Sequence, residues 1–150
     1  MGLVRVEMEV SRDGGSSQAV EFLVDSGAVY SVLPQRVWRA LKLKRQRTLK
    51  FSLADGTTIR RGVSECRFSY GGVEASSPIV LGERNDEALL GTVTLETLGL
   101  VLNPFERTLK PMRMILAHTR RRRGCARSGT SAVGTSAAVD ENTPSRQAPE

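Results

Sequence analysis

Histidine is almost missing from this chain of 150 residues, which contains only His118. Serine and cysteine nucleophiles need a base within hydrogen-bond reach, and a lone histidine in a C-terminal stretch of different composition offers none. Cysteine is nearly as scarce. Cys66 falls in an alternating, strand-like pattern and reads as core, whereas Cys125 falls in the polar C-terminal stretch. Two such residues make neither a disulfide framework nor a zinc site, so no metal and no cofactor is expected. Long apolar runs are absent too: none approaches the roughly 20 residues that a membrane helix requires. Arg5 comes too early for a signal peptide, and Val6 stands where a myristoylation signal needs Ser or Thr. The expectation is a cytoplasmic protein with no membrane partner.

Charge excludes less than its size suggests. The formal net charge is +6, but it divides evenly. Residues 117–150 carry six Arg against Asp140, Glu141 and Glu150, and residues 1–116 carry sixteen bases against thirteen acids. Excess charge spread in this way is no nucleic-acid footprint by itself. Arg120, Arg121, Arg122 and Arg123 leave phosphate-backbone binding open, but a basic tail is as often merely solubilising.

The order of the chain follows from its periodicities. Val4, Val6, Met8 and Val10 alternate with Arg5, Glu7 and Glu9, giving a strand with one wet face. A turn around Asp13-Gly14 leads to a second strand, Ala19 to Val24, which ends at Asp25. Val29 to Leu33 reads as a short strand, and Pro34 opens a short helix from Gln35 to about Leu41, with Val37, Trp38 and Leu41 inward. Thr48 to Ala54 and Thr57 to Phe68 read as strands joined by a two-residue turn, Asp55-Gly56; a second hairpin turns at Gly71-Gly72. Ala88 to Gly91 is a buried run, Thr92 to Leu98 a helix stopped by Gly99, and a last hairpin turns around Asn103-Pro104. From residue 117 onward, Gly, Ser, Ala, Thr and Arg dominate, and such a segment cannot bury enough apolar surface to offset its ordering entropy. The reading is one mostly-β domain over residues 1–116, with a closed or sandwiched core and one or two short helices, followed by a disordered basic tail over 117–150.

The chemistry concentrates at Asp25-Ser26-Gly27-Ala28. A carboxylate, a hydroxyl and a glycine stand where a buried strand stops, and glycine lets the backbone turn tightly enough to bring N–H groups to the carboxylate. The bland alternative is a tight turn in which Asp caps local N–H groups. The quartet occurs once, and no internal repeat supplies a second one.

The strand ending in this quartet, the polar-tipped hairpin that follows, and Leu89-Leu90-Gly91 running into a short helix together resemble the retropepsin-like aspartic proteases, in particular their bacterial single-domain members. The resemblance spans about residues 3–112. It implies a closed β-barrel of the acid-protease type that works as a homodimer, hydrolysing peptide bonds of a peptide or protein substrate. Asp25 would be the catalytic residue, one from each chain. Ser26 would bond across the dimer, Gly27 would present backbone groups to carboxylate and substrate, and Ala28 would pack beside them. Ala54, Asp55, Gly56 and Thr57 would form the flap, and Leu89, Leu90 and Gly91 would support the active-site loop from beneath. The chain departs from viral relatives at Val29, Tyr30 and Thr92, where an acid and an Arg often form a dimer-stabilising ion pair. A reading from another class is a catalytically silent, dimeric interaction module that keeps the fold. The basic run Lys42 to Lys50 reads as a solvated face rather than a substrate-steering patch.

Overall fold

The computed structural model describes residues 3–116. His118, Cys125, the Arg120–Arg123 run and the rest of the expected tail lie outside the described residues.

Nine strands and two six-residue helices make up these residues. Strand β1 (Arg5–Ser11) turns back into β2 (Ser17–Val24), and their alternation puts Met8, Val10, Val20, Phe22 and Val24 inside while Glu7, Glu9 and Glu21 face water. Strand β3 (Ser31–Leu33) leads through Pro34 into helix α1 (Gln35–Ala40). Strands β4 (Arg47–Ser52), β5 (Thr58–Tyr70) and β6 (Val73–Leu81) follow as successive hairpins. Strand β7 (Leu89–Leu90) and helix α2 (Thr92–Thr97) come next, then β8 (Leu100–Asn103) and β9 (Thr108–Pro111), a separate two-stranded sheet.

The seven-stranded sheet runs β1-β2-β7-β3-β6-β5-β4, and β1 also bonds to β5 through Glu9–Ser11. Strand β5 is long enough to serve three neighbours: its first half pairs with β4, its second with β6, and Arg67–Ser69 pair with β1. Phe22 and Phe68 are completely buried at the centre, with ring centroids 5.7 Å apart in a tilted contact. Such aromatic pairs add about 1 kcal/mol beyond the area they bury. The fold is mostly β with two short helices, as the sequence implies.

Two local expectations are corrected. The Asp55-Gly56 turn is not a two-residue loop: Gly56 N–H donates to Leu53 O at 2.9 Å and Leu53 N–H to Thr57 O at 2.8 Å, so the loop is Ala54-Asp55-Gly56. Gly56 takes φ +85°, the left-handed position that closes a three-residue hairpin. The strand expected from Val29 begins only at Ser31, because the carbonyls of Ala28 and Val29 accept instead from Thr92 and Val93 at the start of α2. Trp38 packs against the core from the inner face of α1, as expected, half-buried and with its indole N–H donating to Gly82 O at 2.8 Å. The Gly71-Gly72 turn does have two residues, both at positive φ.

Candidate active site

Strand β7 sits between β2 and β3, parallel to the first and antiparallel to the second. The segment that joins β2 to β3, residues 25–30, therefore has to pass over the end of β7, and this crossing creates the site. Asp25 continues the β2 ladder by one bond, its N–H donating to Leu90 O at 3.1 Å. The chain then turns, with Ala28 N–H on Asp25 O at 3.2 Å. Gly27 N–H reaches back to Asp25 Oδ1 at 2.9 Å, which orients the half-buried carboxylate. Charge-assisted bonds of this kind are stronger than neutral ones.

Gly91 lies directly under the loop. A Cβ there would stand 2.6 Å from the Tyr30 carbonyl carbon and 2.7 Å from Val29 O. Leu90 is completely buried and Leu89 half-buried, so the aliphatic pair anchors the strand while the glycine lets the loop settle on it.

Beneath this crossing lies a chain of hydroxyls that the sequence reading missed. Gly91 N–H donates to Ser31 Oγ at 3.0 Å, Ser31 Oγ lies 2.6 Å from Thr94 Oγ1, and Thr94 Oγ1 lies 2.9 Å from Ser77 Oγ. All three side chains are buried, and they come from β3, α2 and β6. Ser31 and Ser77 occupy inward positions of their strands, which is the one signal the sequence carries for them.

A cavity of about 430 Å³ opens beside the loop. Gly27, Ala28 and Tyr30 form one wall, Phe51, Leu53 and Ile59 of the β4–β5 hairpin another, and Val32, Val80 and Leu89 the floor. Tyr30 and Phe51 meet edge to face with centroids 6.4 Å apart, linking loop to hairpin. Ser52, Arg61, Asp86 and Glu87 supply polar groups in the cavity lining. Of the expected flap, Ala54, Asp55, Gly56 and Thr57 form the exposed tip, whereas the wall itself comes from residues flanking it. The tip is braced internally: Asp55 Oδ1 accepts from Thr57 N–H at 2.9 Å and from Thr57 Oγ1 at 2.6 Å, which holds the Asp55 carboxyl below its ordinary range.

Ser26 is exposed and lines a different hollow, of about 300 Å³, with Leu95, Leu100, Val101 and Met112 among its walls. Among the described residues, no group of three or more His, Cys, Asp or Glu is placed to hold a metal ion.

The family described as gag-polyprotein putative aspartyl protease matches residues 14–97, more than half of the chain and all of the loop, hairpin and β7–α2 region. The chain belongs to that family. No curated protein sequence matches it. Among solved structures, this aspartic-protease-family domain resembles EIAV protease complexed with the inhibitor HBY-793, at 16% identity and TM-score 0.53, covering 77% of this chain and 94% of that one. It also resembles the retroviral protease-like domain of Ddi1 from Leishmania major, at 12% identity and TM-score 0.54, covering 76% of this chain and 91% of that one. At these identities the likenesses bear on the fold, which is retropepsin-like. Asp25, Ser26 and Gly27 lie within the matched residues, on the loop over β7. No helix among the described residues is long and apolar enough to cross a membrane.

Proposed function

We propose that the protein is an aspartic endopeptidase that acts as a homodimer, with Asp25 of each copy forming a shared pair in which water is activated. The observation that carries this reading is Asp25 held by Gly27 N–H at 2.9 Å on a loop that walls a largely apolar cavity. A lone carboxylate does not supply both a base and an acid. Two that meet cannot both ionise, so they share one proton, as is well established for aspartic-protease pairs. The ionised member then takes a proton from the attacking water while the protonated member hydrogen-bonds the scissile carbonyl. Since the quartet occurs once, the second carboxylate comes from a second copy.

Ser26 supports the same reading. It faces away from the cavity, into a hollow lined by Leu100, Val101 and Met112, where a second copy would cover apolar surface and bring the two loops together. The β4–β5 hairpin would close over the peptide as a flap, its wall residues Phe51, Leu53 and Ile59 excluding water from the reacting bond. In this reading the strands close into a barrel through the β1–β5 pairing.

The test is cleavage of a mixed peptide library from acid to neutral pH by wild type and Asp25→Asn. Loss of cleavage by on the order of a thousandfold in the variant is the expected outcome. Identical profiles would identify the silent interaction module instead. Sedimentation of the active species provides the second arm, since a monomer that still cuts rules out the shared pair.

A further inference from the structure

Nine of the sixteen Lys and Arg of residues 1–116 fall between Arg36 and Arg61, with Asp55 as the only acid among them. The remainder of residues 1–116 carries seven bases and twelve acids, so positive charge is concentrated in this one segment. Of the nine, only Arg61 has a carboxylate partner among the described residues, Glu83 at 2.8 Å.

Two details show positive charge concentrated against its own repulsion. Lys50 of β4 lies directly opposite Arg60 of β5, although like charges at such a position destabilise a sheet. Gly62, in the interior of β5, leaves room for Arg45: a Cβ there would come within 2.9 Å of Arg45 Cδ and 3.0 Å of its Cγ. Glycine weakens a strand and often marks a close approach. Here it lets the Arg45 stem lie against β5, in the same pocket lining as Arg60 and Arg61. These three arginines line a pocket of about 430 Å³ with Trp38 and one carboxylate, Glu83, which Arg61 pairs, leaving Arg45 and Arg60 in excess; Arg61 lines the neighbouring candidate active-site cavity as well.

We infer that this basic pocket is an exosite that docks an acidic peptide segment, and that, if the protease reading holds, the segment belongs to the substrate and lies a few residues from the cleaved bond. An acidic polypeptide fits better than a nucleic acid for two reasons. Trp38 offers no free face for base stacking, since Arg39 covers the ring at 5.5 Å and the side chain packs on the core. Among the described residues strand β4 ends the sheet, so its outer edge presents main-chain groups that an extended peptide can bond in ladder fashion and a nucleic acid cannot. Arg45, Arg60 and Lys50 would then pair with Asp or Glu side chains of that peptide.

The experiment is fluorescence anisotropy of the full chain with a labelled peptide of alternating Glu and Ser, its Gln counterpart, and a short single-stranded oligothymidylate. The expected result is binding of the acidic peptide alone, weakening with salt, and an affinity loss of about tenfold or more in Arg60→Glu. The same substitution replaces the like-charge opposition with a Lys50–Glu pair, so the urea midpoint is expected to rise while binding falls; damage to the fold would lower both. Equal binding of the Glu and Gln peptides, unaltered binding by Arg60→Glu, or preference for the oligonucleotide would each overturn the inference. Acidic-peptide binding without any cleavage would uphold the docking site and remove the protease reading.

Discussion

Gly91 and Tyr30 are in backbone contact across the candidate active site: a Cβ on residue 91 would stand 2.6 Å from the Tyr30 carbonyl carbon. The loop bearing Asp25 rests on a surface that only glycine makes flat enough.

Gly91→Ala therefore lifts the loop or fails to seat it. The expected cost is about 1–3 kcal/mol of stability, the range for overpacking a tight contact. Urea denaturation reads that cost, and under the proposed protease function cleavage should fall further than stability alone explains. A variant as stable and as active as wild type would contradict this account of the loop.

Thr94 is the hub of the hydroxyl chain, bonded to both Ser31 and Ser77. Thr94→Val keeps the shape and removes the shared partner of two buried hydroxyls, leaving Ser31 only its bond from Gly91 N–H, at a cost of about 1–3 kcal/mol. Thr94→Ser keeps the oxygen and should recover most of that loss. Comparison of the two by chemical denaturation separates the hydrogen bonds from simple packing.

Asp55 gives the hairpin tip a pH dependence. The Thr57 hydroxyl and amide lower its pKa in the folded protein from the ordinary 3.8. A depressed carboxyl favours the fold above its unfolded pKa, and the effect is lost as pH falls through the folded value. The Thr57 amide resonance should titrate with a midpoint below 3.8, and Asp55→Asn should abolish that titration. A midpoint at or above the ordinary value would show the brace is not formed in solution.

Cys66 is buried, and burial pushes its thiol up to about 12. In a Cys125→Ser background, iodoacetamide should leave native protein unmodified at mildly alkaline pH and label it once it is unfolded in urea. Because the folded pKa is raised, the thiol's contribution to stability is full below the ordinary thiol range and declines as pH climbs toward 12. Rapid labelling of the native protein would mean that this part of the core opens readily.

The sequence made some elements plain and concealed others for physical reasons. Strand β1 announces itself because one face is wet and the other dry, so Val4, Met8 and Val10 alternate with charges. Asp25 and Gly91 were legible because few residue types tolerate a strand end that turns sharply or a backbone that passes at contact distance. The cavity walls were not legible, since which side of β4 and β5 faces the loop depends on a register that pairs Phe51 with Ile59. Nor was the hydroxyl chain: Ser31, Ser77 and Thr94 are far apart in sequence and meet only because β3, β6 and α2 pack together. The three-residue turn escaped for a different reason. Leu53-Ala54-Asp55-Gly56-Thr57 suits either loop length, and the Asp55–Thr57 bonds accompany the longer one.

Strand β7 lies between two strands that precede it in the chain by more than fifty residues, and this placement sets a schedule for synthesis. When β1 to β6 have left the ribosome, the edges of β2 and β3 still face each other across a gap, and nothing supports the loop that carries Asp25. Contacts so distant in sequence form late. The site is completed only when Leu89, Leu90 and Gly91 arrive and slide between them, so a half-made chain has no assembled candidate site.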